Sequence, residues 1–368
     1  MTYLYRMFRS FVVLQLLPAL ESASEEALIG GQAVLEGVMM RSPHAWGIAV
    51  RRSTGEMATH CEVLERPSEK RKWLAWPLVR GLVTLGQAMK LGYRALQFSS
   101  NIMMASLAAE EEKESQEKEA QGKGKSPAAP AARIEDAKPE MPPQISGWMM
   151  FMNVVLSVGF FIVMYKLVPL TLARGLQGSW SAMNNNVVFN LVDGVIRLVL
   201  FLLFIWGISL FADIRRVFEY HGAEHKTVFA YEAKREIPAV KFTQGFSTYH
   251  PRCGTSFLMT IMLISIFVYA AVPIASANAS GHFFDRAFWE RFGIRILLLP
   301  VIASVSYEMI RFSAKHGRSL FALLTRPGLW LQRITTKQCS DDQVECAIKA
   351  LDEAMNLEKA HGGELVIA

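Results

Sequence analysis

Apolar residues in this chain gather into long runs separated by charged stretches. Four runs, approximately Met149 to Leu170, Val195 to Ala212, Ser256 to Ala275 and Ile294 to Ile310, approach the roughly 20 predominantly apolar residues that cross a bilayer's hydrocarbon core. Any one of them alone also suits a buried helix of a soluble protein. Four within the carboxyl-terminal two-thirds predict an α-helical integral membrane protein with about four transmembrane helices, in a membrane domain over residues 146–310.

The polar and apolar periods outside that domain differ from segment to segment. Residues 1–27 read as an amphipathic lead-in: Arg6 and Arg9 precede the apolar run Phe11 to Leu20. A cleaved export signal is disfavoured, because it would carry Arg51, Arg52, Lys70, Arg71, Lys72 and Arg80 across the membrane. Residues 28–72 alternate short β-prone runs with Gly30, Gly31 and Gly37, and Ser53-Thr54-Gly55-Glu56 has the composition of a hairpin turn, which predicts a small cytoplasmic β-rich domain. Over residues 73–108, Leu78, Leu82, Leu85, Met89 and Leu96 recur at helical spacing, as in an interfacial amphipathic helix. Residues 109–145 offer almost nothing to bury and read as a disordered or partly helical charged tether.

Past the last span, residues 311–368 predict cytoplasmic amphipathic helices. Arg311, Lys315, Arg318 and Arg326 alternate with Phe312, Leu320, Phe321, Leu323 and Leu324, and Pro327-Gly328 is expected to end that helix. Ser340-Asp341-Asp342-Gln343 has the form of a capping box, ahead of the stripe Val344, Ala347, Ile348, Leu351 and Met355.

Charge fixes an orientation. The segment from Asp213 to Thr255 carries Arg215, Arg216, Lys226, Lys234, Arg235, Lys241 and Arg252, whereas Thr171 to Gly194 carries Arg174 and Ser276 to Gly293 carries Arg286 and Arg291. Cytoplasmic loops hold the excess of Lys and Arg, so both termini and the 213–255 segment are expected in the cytoplasm, in a multi-pass protein of the inner membrane. Much of the formal net charge of +6 is then a topological bias, and nucleic acid is not implied as a partner. Four scattered cysteines, Cys61, Cys253, Cys339 and Cys346, predict thiols rather than disulfides in that compartment.

The chemistry concentrates in the 213–255 segment. His221, Glu224 and His225 form an H-x-x-E-H motif, and His250 and Cys253 follow at H-x-x-C spacing. On a helix, His221 and His225 share a face, and Glu224 is placed to act as base toward a water on a bound metal. The competing reading has His221 and His225 bonded to headgroups or backbone and Cys253 as a small buried hydrophobe. If metal binds, His221, His225, His250 and Cys253 make the simplest tetrahedral zinc set, a closed and therefore structural site. An open site instead takes a distant carboxylate, for which Glu308 at the end of the fourth span is the candidate. Its plain alternative is an ion pair with Arg311 or Arg252. Glu36 in the glycine-flanked block completes the candidate carboxylates, and Arg41 and Arg252 suit an anionic or phosphate-bearing group there or, more simply, ordinary ion pairs. Asp193 and Arg197 suit an intrahelical pair.

These blocks resemble the YqhQ-like family of bacterial membrane proteins. The resemblance rests on Gly30 to Arg41, Glu219 to Thr227, His250 to Phe257, Ser306-Tyr307-Glu308, and Pro327 to Gln332. It implies a metal-dependent enzyme, and the lead-in and tether look like additions to the family pattern. The expectation is a zinc-dependent membrane hydrolase acting on a peptide, amide or ester at the cytoplasmic interface. The alternative is a membrane scaffold with a structural metal and a cytoplasmic protein partner. A transporter fits less well, because Lys166, Asp193, Arg197, Arg295 and Glu308 all fall near span ends by these boundaries. Neither the metal, the substrate nor the oligomeric state follows from the residues.

Overall fold

The structure, a computed structural model, describes residues 29–65, 71–122, 147–251, 253–272, 286–315 and 320–360. The expected lead-in, Arg252 and most of the expected tether lie outside them.

Four strands, β1 Gly30–Val34, β2 Gly37–Arg41, β3 Ala45–Arg51 and β4 Met57–Val63, form an antiparallel meander in chain order. The β1–β2 turn places Glu36 at φ 53°, a left-handed backbone that a non-glycine residue adopts only when held there. At Gly37 a Cβ would stand 2.3 Å from the Ala49 carbonyl oxygen, which explains the glycine. The β3–β4 turn falls where expected, with Gly55 at φ 88°.

Strand side chains alternate between faces, and the central strands β2 and β3 are buried on both faces, so these two read as nearly continuous apolar runs. Val38, Met40 and Ala49 pack against Tyr220, Ala223 and Val228 and against Val344, Ala347 and Leu351. Met39, Trp46, Ile48 and Val50 face the other way, against Leu91 and Ala95. The sheet is thus not a freestanding unit. Its core is completed by helices from the middle and the far end of the chain.

The helices are α1 Val79–Gly122, α2 Gly147–Ile162, α3 Val168–Gln177, α4 Asn186–Ile208, α5 Ala212–Lys234, α6 Val240–Gln244, α7 Gly254–Ala271, α8 Arg286–Leu297, α9 Leu299–Lys315, α10 Leu320–Thr335 and α11 Asp341–Ala360. Helix α1 packs on one sheet face, and α5 and α11 on the other. Among the described residues, Val155–Gln177, α4 and α7 are long and apolar enough to cross a membrane. Phe288–Leu297 and Leu299–Ser313, bent by 44°, make a fourth if the pair is one span. The first span runs through a single π turn, Val163–Leu167, that joins α2 to α3. Three of the four expected runs are therefore present as candidate spans with shifted ends, and the fourth is present if the bent pair is one span.

Three boundaries differ from expectation. Helix α1 continues to Gly122, into the expected tether, because Ala, Glu, Lys and Gln sustain a helix without burying anything. The 213–255 segment is mostly the long helix α5 rather than a loop. Helix α10 runs straight through Pro327-Gly328. Gly328 there lies against Ser256, where a Cβ would stand 2.7 Å from its Cα, so the packing of α10 on the start of α7 holds the helix across the proline. The capping box forms as read: the Gln343 amide donates to Ser340 Oγ at 3.4 Å, and the Ser340 amide donates to Gln343 Oε1 at 2.9 Å.

Candidate metal centre

Helix α5 carries the H-x-x-E-H motif on the side turned into the molecule, where Gly222, Ala223, Glu224 and His225 are all buried. Four-residue spacing brings the two imidazoles together, their ring centroids 4.4 Å apart and their planes tilted by 59°. Each ring is oriented by a backbone carbonyl. Nδ1–H of His221 donates to Thr335 O at 2.8 Å and Nδ1–H of His225 donates to Thr248 O at 2.5 Å. A carbonyl only accepts, so these bonds put a proton on each Nδ1 and leave Nε2 as the nitrogen of each ring that can act as a ligand.

The third ligand comes from the next helix. Cys253 is the N-cap of α7, and its sulfur accepts from the Thr255 amide at 3.4 Å. It lies 3.2 Å from His221 Nε2 and 3.1 Å from Thr255 Oγ1. The ligand atoms of His221, His225 and Cys253 all fall within 4.8 Å of one another. Ligands at 2.0–2.3 Å from a tetrahedral ion stand about 3.5 Å apart, so small rotations would bring these three onto one ion. One observation bears directly on that fit: His225 Nε2 is buried and has no hydrogen-bond partner among the described residues. A buried nitrogen lone pair left without a donor is uncommon and asks for an explanation.

Glu224 occupies the flank of this group. Its carboxylate Oε2 is 3.5 Å from His225 Nε2, and its stem packs on β1, where a Cβ on Gly31 would stand 2.6 Å from Glu224 Cγ. The glycine of the amino-terminal block is thus required by the approach of strand β1 to α5. His250 stands beside the group, its ring centroid 5.5 Å from that of His225 and 4.6 Å from that of Phe229. It is held by Gln332 of α10, which accepts from the His250 amide at 2.8 Å and donates to the His250 carbonyl at 2.8 Å. Gln332 also donates to Ser256 Oγ at 2.7 Å.

The remaining expected residues go elsewhere. Glu308 neither joins the His–Cys group nor pairs with Arg311: Arg80 grips it through Nε at 2.7 Å and through Nη2, and the Leu78 amide adds a third donor at 3.3 Å. A buried carboxylate takes the strongest planar partner in reach, and α1 supplies one. Burial works against the charge on Arg80, but the Glu308 partnership outweighs it and raises its pKa above the ordinary arginine value. Glu36 does reach α5, where Arg216 and Tyr220 bind it rather than the His–Cys group. Burial, then the Glu36 charge, push the Tyr220 hydroxyl well above its usual range. Arg41 ends β2 opposite Gly30, and Arg252 lies outside the described residues. The Thr248 and Thr335 carbonyls and Gln332 went unread in the sequence. Backbone acceptors leave no residue signal, and a lone glutamine is silent until its neighbours are known.

Comparison with known proteins bears on the identity of this arrangement. Residues 76–357 match the family described as protein of unknown function DUF1385. The chain belongs to the DUF1385 family. Over 338 residues it is 31% identical to uncharacterized protein YqhQ of Bacillus subtilis (strain 168), covering 89% of this chain and 92% of that protein. No solved structure matches. The family match spans α1 to α11 and so includes the His–Cys group and all four candidate spans.

Proposed function

We propose that this DUF1385 protein is a multi-pass membrane protein of the cytoplasmic membrane whose His221–His225–Cys253 group binds zinc or a similar divalent metal in a hydrolase. The single observation that carries the metal reading is the buried Nε2 of His225, which makes no hydrogen bond among the described residues, beside two further ligand atoms. The donor set of two imidazoles and one thiol suits zinc. Three protein ligands leave a fourth position open, the arrangement of catalytic rather than structural sites. When bound, the metal would supply Lewis-acid activation of water or of a carbonyl oxygen.

The chain's own contribution is positional. The Thr335 and Thr248 carbonyls orient the two imidazoles, Thr255 steadies the sulfur, and Glu224, 3.5 Å from His225 Nε2, is in reach to take a proton from water and pass it to a leaving group. The group lies at the Cys253 end of candidate span α7, beneath the sheet and α11, which suits a site at the cytoplasmic membrane interface. The substrate class expected from this chemistry is a peptide, amide or ester.

A structural metal is favoured by one observation, the His250 ring beside His225: its recruitment would close the shell and make the protein a scaffold for a cytoplasmic partner. Metal content of the detergent-purified chain, prepared without metal-affinity resin, tests both readings. Near-stoichiometric zinc in wild type, lost in both His225→Ala and Cys253→Ser but kept in His250→Ala and Glu224→Gln, supports the open site. Loss in His250→Ala as well supports the closed one. Folded wild type without metal overturns both.

A further inference from the structure

The four candidate spans converge on a second polar cluster, far from the His–Cys group. Cys253 and Ser265 are separated by twelve residues of helix α7, roughly 18 Å at 1.5 Å per residue. Every span contributes. Lys166 comes from the π turn of the first, Asn190, Asp193 and Arg197 from α4, Ser265 and Tyr269 from α7, and Arg295 from the last turn of α8, just before the bend at Leu298. Lys166 stands at the midpoint of Val155–Gln177 and Arg197 at that of Asn186–Ile208, so the expectation that these groups lie near span ends holds for neither.

Asp193 lies between the two arginines, taking Arg295 Nη1 on Oδ1 at 2.6 Å and Arg197 Nη2 on Oδ2. The other guanidinium ends donate to Ser265 Oγ at 2.8 Å and Asn190 Oδ1 at 3.0 Å. Lys166 Nζ donates to Tyr269 OH at 3.0 Å, and that hydroxyl donates to Arg295 O at 3.0 Å. Tyr269 also offers its ring to Lys166, Arg197 and Arg295, at 5.1, 5.2 and 5.5 Å. Lys166, Asp193, Arg197 and Arg295 are all more than nine-tenths buried.

The charges do not balance. Three cationic groups share one carboxylate among the described residues of the cluster, and arginine stays protonated in a protein. Even a neutral Lys166 leaves two arginines against Asp193. An uncompensated buried charge costs several kcal/mol, and ionisable groups within spans mark ligand paths more often than structure. Two further observations point the same way. Nε of Arg197 and Nε of Arg295 are both buried donors with no hydrogen-bond partner among the described residues. The backbone is also irregular at two of the contributing points, the π turn at Lys166 and the bend after Arg295, and such irregularities recur at binding sites within helix bundles.

We propose that this cluster is a binding site for one small oxyanion, a carboxylate or phosphate group, that supplies the missing negative charge. The inference is independent of the metal centre. The full chain in uncharged detergent would be titrated with inorganic phosphate and with acetate, ionic strength being held by a bulky sulfonate salt, and its thermal unfolding followed. In a parallel arm the protein would sit in phosphatidylcholine nanodiscs with and without phosphatidylglycerol.

Saturable stabilisation is expected, weakened at least tenfold in apparent Kd by Lys166→Met and kept or strengthened by Asp193→Asn, which enlarges the positive excess. Saturation by phosphate or acetate assigns the site to a soluble anion. A response to phosphatidylglycerol alone assigns it to a lipid headgroup. The response should persist in His225→Ala, and its loss there would move the anion to the metal centre and overturn the proposal. So would the absence of any saturable response in wild type, or a response unchanged by Lys166→Met and abolished by Asp193→Asn. If Lys166→Met does not fold, the Asp193→Asn result decides.

Discussion

Replacing Gly222 with alanine would strike the supports of both motif histidines at once. A Cβ there would stand 2.1 Å from the Lys337 carbonyl oxygen and 3.3 Å from Thr248 Cγ2. Real Cβ atoms keep at least 3.0 Å, so the segment after α10 must move away by about 1 Å. Two hydrogen bonds beside the clash tie α5 to Lys337 and to the last residue of α10, Lys337 N to Phe218 O at 2.9 Å and His221 Nδ1 to Thr335 O at 2.8 Å. Losing both costs about 2 kcal/mol, against which alanine regains about 1 kcal/mol of helix propensity over glycine. Overpacking adds about 1 kcal/mol or more, for a net destabilisation of about 2 kcal/mol. Thermal unfolding in detergent should show a fall of about 4 °C or more, and on the metal reading zinc affinity should drop roughly 10- to 100-fold. Gly86→Ala is the control, because nothing lies within 4 Å of its Cβ position in exposed helix α1 and propensity alone should stabilise it by up to about 1 kcal/mol. A Gly222→Ala protein as stable as Gly86→Ala would refute the close contact between α5 and the 336–340 segment.

Three other outcomes follow from buried charges and thiols. Burial opposes ionisation of Glu358, but hydrogen bonds from Ser42, the His44 ring and the His44 amide outweigh it and hold its pKa below the ordinary value of 4.5. Its stabilising contribution is therefore complete above about pH 4.5 and disappears as pH falls through the depressed folded value, so Glu358→Gln should flatten the acid limb of a stability–pH curve. Arg80→Ala strands the buried Glu308 carboxylate and should cost on the order of 3 kcal/mol. Adding Glu308→Gln should recover part of that in a thermal-shift comparison, and a double variant no better than Arg80→Ala would contradict the pairing. Burial pushes the Cys346 thiol up to about 12, so N-ethylmaleimide at pH 8 should leave it unlabelled by mass spectrometry until the chain is denatured.

How much was legible beforehand varies by element. The helical motif, the capping box at Ser340 and the hairpin turn at Gly55 are all local, set by spacing within one or two turns of chain, and each formed as read. Pro327-Gly328 was misread because a local breaker speaks only for propensity. The packing of Gly328 on Ser256 overrode it. In the candidate site, His221 and His225 followed from the period of the helix. The addition of Cys253 required the N-terminus of α7 to meet the side of α5.

The sequence by itself determined where apolar runs lie, which faces of the short strands can be buried, and that two imidazoles and a carboxylate share one helical face, because these depend on residue order and backbone period alone. Tertiary structure decided which carboxylate takes which arginine, sending Glu308 to Arg80 and Glu36 to Arg216. It decided that a carboxyl-terminal helix completes the core of an amino-terminal sheet. It also gathered Lys166, Asp193, Arg197 and Arg295 from separate spans into one buried cluster. Each of these joins groups distant in the chain, and charge partners are chosen by reach and burial in the packed state.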